Sequence, residues 1–502
     1  MKKAWKLWCI ALALCLILSA CAAAQPQQAQ AEPDAPAEQE MAEEPAAPDY
    51  LHHAAYMSAP KGFFEPEQPL RRAEAAQLVC NLAGFTKSAV MDCRYADVSP
   101  DAWYYDAVLA ACDYFEAPET AEETAQEGNE SSKEEASEDS EQAAELTQPE
   151  KYFRPNDAAL AKELLEAISR ALALSDAALP EGMKPLDVLT RADAAQLVNC
   201  AIGRSPDKEA LQAVSYDLLL DMPREDERYY DVLEAVLPHE YVLDASAEQW
   251  NMQSLGLTKP RAGAHTRKGF GFVADDKGCV IRKAGVFTYD GWSYLAADET
   301  GRIFADGALH RADGHVFCAL RGGQLLTDGA RGTYLFDENG YYTTGSEPVD
   351  RLLDEAIAAC TEEGMTQEEM LKACYDFVRD YKYLGRNPSF DESVKTPPYE
   401  KLLEFAEKIL STGKGDCYNF AASFCLLARR LGFEAECIIG ECGYVWNWHP
   451  IAHGWVEIMQ DGQTLLYDPQ IENYNIRAGI SNEENGAFGV TYETAHARYL
   501  KH

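Results

Sequence analysis

The sequence predicts a multidomain protein with an α-helical bundle, a region of β-hairpins and a C-terminal α+β domain. Three observations predict it. A segment rich in Ala and Leu occurs twice in the first half of the chain. Short aromatic runs punctuated by glycine follow it. Helical periodicity then returns ahead of two alternating, strand-like runs.

The chain opens with Lys2, Lys3 and Lys6 before an uncharged apolar run from Leu7 to Leu18, which reads as a signal peptide over residues 1–20. The run is too short to span a membrane comfortably. It ends in Leu18-Ser19-Ala20-Cys21, which resembles the lipobox of bacterial lipoproteins. That resemblance implies cleavage before Cys21, acylation of its sulfur, and anchoring at the extracellular face of the bacterial cytoplasmic membrane or cell wall. An ordinary secretory signal is the alternative. Residues 21–49, made of Ala, Pro, Gln and Glu, have little to bury and read as a flexible tether. Residues 119–150, dominated by Glu, Ser, Ala and Thr, read as an acidic disordered linker.

The net charge of −39 sets the chain against nucleic acid as a partner. Its cysteines are scattered without a CxxC pair, so no metal centre and no cofactor are expected. Disulfides among Cys425, Cys437 and Cys442 stay open against a set of free thiols.

The repeat is Arg72-Ala73-Glu74-Ala75-Ala76-Gln77-Leu78-Val79 against Arg191-Ala192-Asp193-Ala194-Ala195-Gln196-Leu197-Val198. Each copy places Ala and Leu on one helical face. An aromatic, acidic segment follows each copy: Tyr95-Ala96-Asp97-Val98 with Trp103-Tyr104-Tyr105-Asp106, and Leu220-Asp221-Met222 with Tyr229-Tyr230-Asp231. Two modules are expected, over 50–118 and 151–241, with Phe153-Arg154-Pro155 opening a degenerate further copy. The pattern resembles S-layer homology modules, whose relatives bind anionic polymers of the bacterial cell wall. By that resemblance Arg72 and Arg191 are the polymer-binding candidates, since a guanidinium pairs with an acid group in bidentate fashion. The other reading is that they brace helices in a structural bundle. Arg71 and Asp193 depart from the family's Thr and Glu.

Residues 265–346 carry runs such as Gly285 to Gly291 and Gly332 to Gly340, with Asp290-Gly291 and Asn339-Gly340 as turn dipeptides. These hairpins resemble the glycine-aromatic repeats of cell-wall or choline-binding modules. A β-rich spacer without a ligand is the alternative.

Residues 349–502 form the last domain. Leu352, Leu353, Ala356 and Ile357 share one helical face, and Met370, Leu371, Cys374, Tyr375 and Val378 share another. The stretch from Asn387 to Pro398 reads as a loop. In Gly413-Lys414-Gly415-Asp416-Cys417, Asp416 is a good N-cap and Cys417 opens the next helix, which runs to the stop at Gly432. A thiol there feels the positive end of the helix dipole and free backbone N–H groups, which favour the nucleophilic thiolate.

Downstream, Ala452-His453-Gly454-Trp455-Val456-Glu457-Ile458 and Thr464-Leu465-Leu466-Tyr467-Asp468-Pro469 alternate like strands around the hairpin dipeptide Asp461-Gly462. That turn sets Gln460 opposite Gln463 and makes His453 the diagonal neighbour of Asp468. A carboxylate there can fix the imidazole while its other nitrogen addresses the sulfur. The stretch 350–475 resembles the transglutaminase-like, papain-like superfamily in its Gly-x-Cys helix start, Arg430-Leu431-Gly432-Phe433, His-x-Trp-Val-Glu and Tyr-Asp-Pro.

The resemblance implies that Cys417 is the nucleophile, His453 the general base and acid, and Asp468 the residue that orients His453. The rival imidazole, His449, lies in the loop Trp446-Asn447-Trp448-His449-Pro450 and lacks strand context. Trp446 and Trp448 are candidate walls of a substrate cleft, whereas Trp455 fits the core. The expected partner is a peptide or protein substrate, with cell-wall polysaccharide or peptidoglycan upstream and the membrane through the lipid. Water as acceptor gives a protease or amidase, and a lysine amine gives a crosslink. The contrasting reading is a non-catalytic surface adhesin or scaffold.

Overall fold

The computed structural model describes residues 49–85, 95–115, 152–244, 247–385, 393–444 and 449–502. The signal segment with Cys21, the tether, the acidic linker, and Trp446 and Trp448 lie outside the described residues. Tyr50–His502 form one compact unit. Among the described residues no helix is long and apolar enough to cross a membrane.

A short strand β1 (Leu51–His53) leads into helices α1 (Arg72–Ala83), α2 (Tyr105–Ala111), α3 (Ala161–Leu172), α4 (Arg191–Ile202), α5 (Lys208–Gln212) and α6 (Tyr229–Val236). Strands β2 (His239–Asp244) and β3 (Ala247–Trp250) close this part, with β2 pairing both β1 and β3 antiparallel. Helices α1, α3 and α4 start alike. The N–H groups of Arg71, Leu160 and Thr190 each donate to the acid three residues on, Glu74, Glu163 and Asp193. Such a contact occupies a donor near a helix start that otherwise lacks an intrahelical partner.

The residues before these helices knit the modules together. Leu70 N–H donates to the Leu189 carbonyl (2.8 Å), Leu189 N–H to Ala159 (3.0 Å), and Ala159 N–H to Leu70 (2.7 Å), a closed ring of three backbone hydrogen bonds. The first N–H of each helix is likewise taken by a neighbouring copy: Arg72 by Asp157, Ala161 by Asp187 and Arg191 by Gln68. The degenerate copy at Phe153 is thus a full third member of the ring. Inside, Leu78, Val79, Leu164, Ile168, Leu197 and Val198 form one core against the alanine faces. Each such large side chain contributes roughly 1.5–3 kcal/mol by leaving water.

The aspartates of the two acidic segments bracket the next copy's aromatic start. Asp97 accepts from the N–H groups of Phe153 and Arg154 (2.8 and 2.7 Å), and Asp221 from those of Phe64 and Glu65 (2.9 and 2.7 Å). Arg154 and Glu65 both lie in the left-handed region, at φ 58° and 59°, a conformation that the brackets hold.

The middle region is built of hairpins. Strands β4 (Gly263–Arg267), β5 (Phe270–Ala274), β6 (Gly285–Tyr289), β7 (Trp292–Ala296) and β8 (Ile303–Phe304) form a sheet in the order β4-β5-β8-β7-β6. Strands β9 (Leu309–Ala312) and β10 (His315–Cys318) pair, as do β11 (Gly329–Arg331), β12 (Tyr334–Phe336) and β13 (Tyr342–Thr343). Asp290 and Gly291 make a two-residue turn with φ 49° and 77°, as their type requires. Asn339-Gly340 does not behave that way. It sits in a longer connection where only Gly340 has positive φ, and Asp337 Oδ1 organises it by accepting from the Asn339 and Tyr341 N–H groups (both 2.9 Å).

The last domain begins with α7 (Glu347–Cys360) and α8 (Gln367–Arg379), then strand β14 (Lys382–Tyr383), α9 (Tyr399–Thr412), strand β15 (Lys414–Gly415) and α10 (Cys417–Arg430). Strands β16 (Ala435–Tyr444), β17 (Ile451–Gln460) and β18 (Gln463–Tyr467), helix α11 (Pro469–Ala478), β19 (Phe488–Val490) and β20 (Ala497–Lys501) complete it. The sheet is antiparallel in the order β19-β18-β17-β16-β20. Helix α10 is buried from Cys417 to Arg429, packed against α8, α9 and the sheet. A helix apolar nearly all round belongs at the centre of a domain. Tyr334 docks the hairpins onto this domain: its hydroxyl accepts from the Ala435 N–H (2.8 Å), under the Arg429 guanidinium.

Candidate active site

Asp416 caps α10 with Oδ1, which accepts from the N–H groups of Tyr418 (3.1 Å) and Asn419 (3.3 Å), while Asn419 Oδ1 accepts from the Asp416 N–H (2.9 Å). This reciprocal cap leaves Cys417 as the first helical residue. Cys417 is buried, at 2 % exposure.

The hairpin of β17 and β18 turns at Asp461 and Gly462, with φ 50° and 76°, and pairs Gln460 with Gln463 and Val456 with Tyr467. That register carries His453 to Asp468, and Nε2 lies 2.7 Å from Asp468 Oδ2. Cys417 also acts on the imidazole, favouring its charged form. The three side chains that the sequence reading singled out therefore meet at one place. Burial alone would lower the His453 pKa, but the charge and hydrogen bond of Asp468, with the effect of Cys417, hold it well above its usual value. A protonated imidazole beside the sulfur is the partner that a thiolate needs.

Asp468 carries more than the imidazole. It is the N-cap of α11, where Oδ1 accepts from the Gln470 N–H (3.1 Å) and the Ile471 N–H (3.0 Å). Its Oδ2 also accepts from the Tyr499 hydroxyl at 3.0 Å. A fully buried carboxylate with four donors is fixed in place.

Tyr499 went unnoticed in the sequence because β20 joins β16 from the end of the chain, with no local signal linking it to His453. Tyr383 was missed too. Strand β14 runs parallel to β15, pairing Tyr383 with Gly415, and the phenol is pushed up by burial and then by Cys417. A second sulfur, Cys442, lies in the same cluster, with its Sγ and the His453 and Asp468 ligand atoms all within 4.8 Å of one another. Burial raises its thiol to about 12, which keeps it protonated and leaves Cys417 as the nucleophile candidate. The described cysteines, Cys425, Cys437 and Cys442 among them, are free thiols.

Two glycines set the spacing. A Cβ on Gly454 would lie 2.9 Å from Tyr418 Cδ1, so the glycine after His453 lets α10 rest directly on β17. A Cβ on Gly440, the partner of His453 across the sheet, would lie 2.0 Å from the Leu500 carbonyl oxygen. His449 lies before β17 and outside this cluster. Trp455 is fully buried and donates from Nε1 to the Tyr492 hydroxyl (2.8 Å), a core position.

The arginines of the repeat behave differently from each other. Arg72 is buried at 2 % exposure, stacks on Phe153, donates from Nε to its carbonyl (2.9 Å) and pairs with Glu163. Arg191 makes the matching contacts to Phe64 (Nε to carbonyl, 2.9 Å), yet it also lines a groove with Arg71, Trp103, Arg267 and Lys268. Trp103 is 64 % exposed there.

Residues 354–469 match the model of the transglutaminase-like superfamily. No curated protein matches the chain. Among solved structures, the choline binding domain of Spr1274 from Streptococcus pneumoniae is similar at 16 % identity, covering 17 % of this chain and 99 % of that one, with a TM-score of 0.14. Choline binding protein F from the same organism is similar at 14 % identity over 21 % of this chain, which spans 30 % of that protein, with a TM-score of 0.14. The periplasmic domain of TgpA from Pseudomonas aeruginosa is similar at 14 % identity, covering 43 % of this chain and 78 % of that one, with a TM-score of 0.19. The matched span of the family model contains Cys417, His453 and Asp468, and the C-terminal part of this chain is a transglutaminase-like domain.

Proposed function

We propose that the protein is a cell-envelope thiol enzyme that cleaves or transfers acyl groups of peptide or side-chain amides through a thioester on Cys417. The observation that carries this reading is the imidazole of His453 held by Asp468 at 2.7 Å, in a domain whose central helix α10 opens with Cys417. The thiolate attacks the amide carbonyl carbon and forms a C–S bond. The oxyanion is met by the Cys417 N–H, which at a helix start has no intrahelical acceptor. His453 then gives its proton to the leaving nitrogen, the C–N bond breaks, and the amine departs. In the second half His453 takes a proton from water or an amine, whose attack expels the thiolate. Because Cys417 is buried, a substrate carbonyl reaches it only when covering side chains move. The enzyme would be held at the extracellular face of the membrane by a lipid on Cys21.

A peptide library incubated with wild type and with Cys417→Ala, read by mass spectrometry, tests the reading. Products with the wild type alone support it, and the mass change separates hydrolysis from amine transfer. Products that persist in Cys417→Ala sink it. A wild type without products, whose Cys417 reacts with iodoacetamide equally fast in His453→Ala, points instead to a non-catalytic adhesin or scaffold.

The groove around Arg191 favours a second, compatible role. Four cationic side chains gather there beside an exposed indole, against Glu65 and Glu74, on a chain of charge −39. This suits an anionic cell-wall polymer, as S-layer homology modules would bind. Arg191→Ala should weaken retention on purified cell walls, whereas Arg72→Ala should act through stability.

A further inference from the structure

At the foot of the helical bundle, far in sequence from the thiol site, four chemistry-bearing side chains converge. His53 on β1 pairs across the sheet with His239 on β2; Glu248 comes from β3 and Glu234 from α6. One ligand atom from each residue lies within 4.8 Å of all the others. His53 Nδ1 is 3.1 Å from Glu234 Oε1 and 3.5 Å from Glu248 Oε2. His239 Nε2 is 3.6 Å from Glu234 Oε2 and 3.9 Å from Glu248 Oε2. A tetrahedral ion with bonds of about 2.0–2.2 Å holds its ligands roughly 3.3–3.6 Å apart, close to this spacing.

The atoms facing the centre are unsatisfied. Glu234 Oε2, His239 Nε2 and Glu248 Oε2 are buried without a hydrogen-bond partner, and the side chains of Glu234 and His239 are fully shielded. A buried polar atom left so costs roughly 1–3 kcal/mol, and three around one point ask for a shared partner. His239 is also oriented as a ligand should be. Its Nδ1 hydrogen-bonds the Leu237 carbonyl (2.9 Å), which puts the proton there and turns the Nε2 lone pair inward, and the ring is clamped on Trp250 at 3.6 Å.

A neighbouring cation does not fill the role. Arg204 approaches Glu234 Oε1 only to 3.7 Å, donates to the Ala54 carbonyl (3.1 Å) and lies over Tyr56. It pairs, at that distance, with Glu234 and acts on Glu248 only through its charge. Burial accordingly works against charge in the cluster, raising Glu234 to about 7 and, with Arg204, lowering His53 to about 4.

We propose that His53, Glu234, His239 and Glu248 bind a divalent transition-metal ion of the zinc class, which fastens β1 and the β2–β3 hairpin to α6. Two imidazole nitrogens and two carboxylate oxygens suit zinc, and four protein ligands with no open position mark a structural rather than a catalytic site. The sequence hides it, since 181 residues separate His53 from Glu234.

The full chain, stripped with chelator, is reloaded with Zn(II), dialysed and assayed for retained metal. The expected result is one equivalent in the wild type, kept in Cys442→Ala and lost in the double variant His239→Ala/Glu248→Gln. In parallel, Co(II)-loaded wild type should show visible d–d bands without a thiolate-to-cobalt charge-transfer band, a readout independent of whether any variant folds. Zinc should also raise the melting temperature of the wild type. Failure of the wild type to keep one equivalent, a thiolate band from it, or retention by the double variant overturns the site.

Discussion

Asp468 concentrates the chemistry of the thiol site in one side chain, because a single carboxylate holds the imidazole and starts a helix. Asp468→Asn keeps the shape but weakens the charge that protonates His453. Peptide turnover should fall by roughly 10²–10⁴-fold, as loss of proton transfer does. The pH dependence has a definite sign. Below about pH 6.5 a histidine is protonated in both folded and unfolded chains. Since His453 is raised in the fold, its contribution to stability is complete below that pH and is lost as pH rises through the native value. Thermal melts of the domain should therefore weaken on the alkaline side, and Asp468→Asn should flatten that slope. Tyr499→Phe removes one donor to Oδ2 and should cost about 1–3 kcal/mol, read by denaturant unfolding. Cys417, His453 and Asp468 were legible in the sequence because each sits beside a local signal: an N-cap, an alternating run, a hairpin dipeptide. Tyr499, Tyr383 and the cluster around Glu234 were not, because only the closed sheet and bundle bring them to their partners.

At the scale of elements, the distance from α10 to β17 decides whether sulfur and imidazole meet. Gly454→Ala puts a methyl group against the Tyr418 ring and should lift the helix slightly. The protein should stay folded by circular dichroism yet lose on the order of a hundredfold in turnover, the usual effect of small misplacement. Gly440→Ala meets the Leu500 backbone as well as the Trp455 ring and should release β20 from β16, seen as faster amide exchange over Ala497–Lys501. Short-range turn chemistry made Asp461-Gly462 and Asp290-Gly291 readable from sequence. The same logic misjudged Asn339-Gly340, where Asp337 organises a longer loop. The start and stop of α10 were readable from Asp416 and Gly432, whereas its burial almost all round comes from packing on α8, α9 and the sheet.

For the molecule as a whole, the ring through Leu70, Leu189 and Ala159 makes three helical units answer to one another. Asp97→Ala and Asp221→Ala remove brackets in different copies. Calorimetry should nonetheless show both lowering the same transition, without splitting it. Two of the copies were readable from their repeated residues; the third lacks the arginine and the aromatic second half, so the sequence marked only its start at Phe153-Arg154-Pro155, and its place in the ring shows through Ala159. The ring also limits how such a protein can grow. An open solenoid can gain a unit at either end because its last surface still offers a place to stack. A circle whose third member hands its carbonyl back to the first has no such end, so a duplicated fourth unit would find every acceptor taken and would have to begin a separate ring of its own.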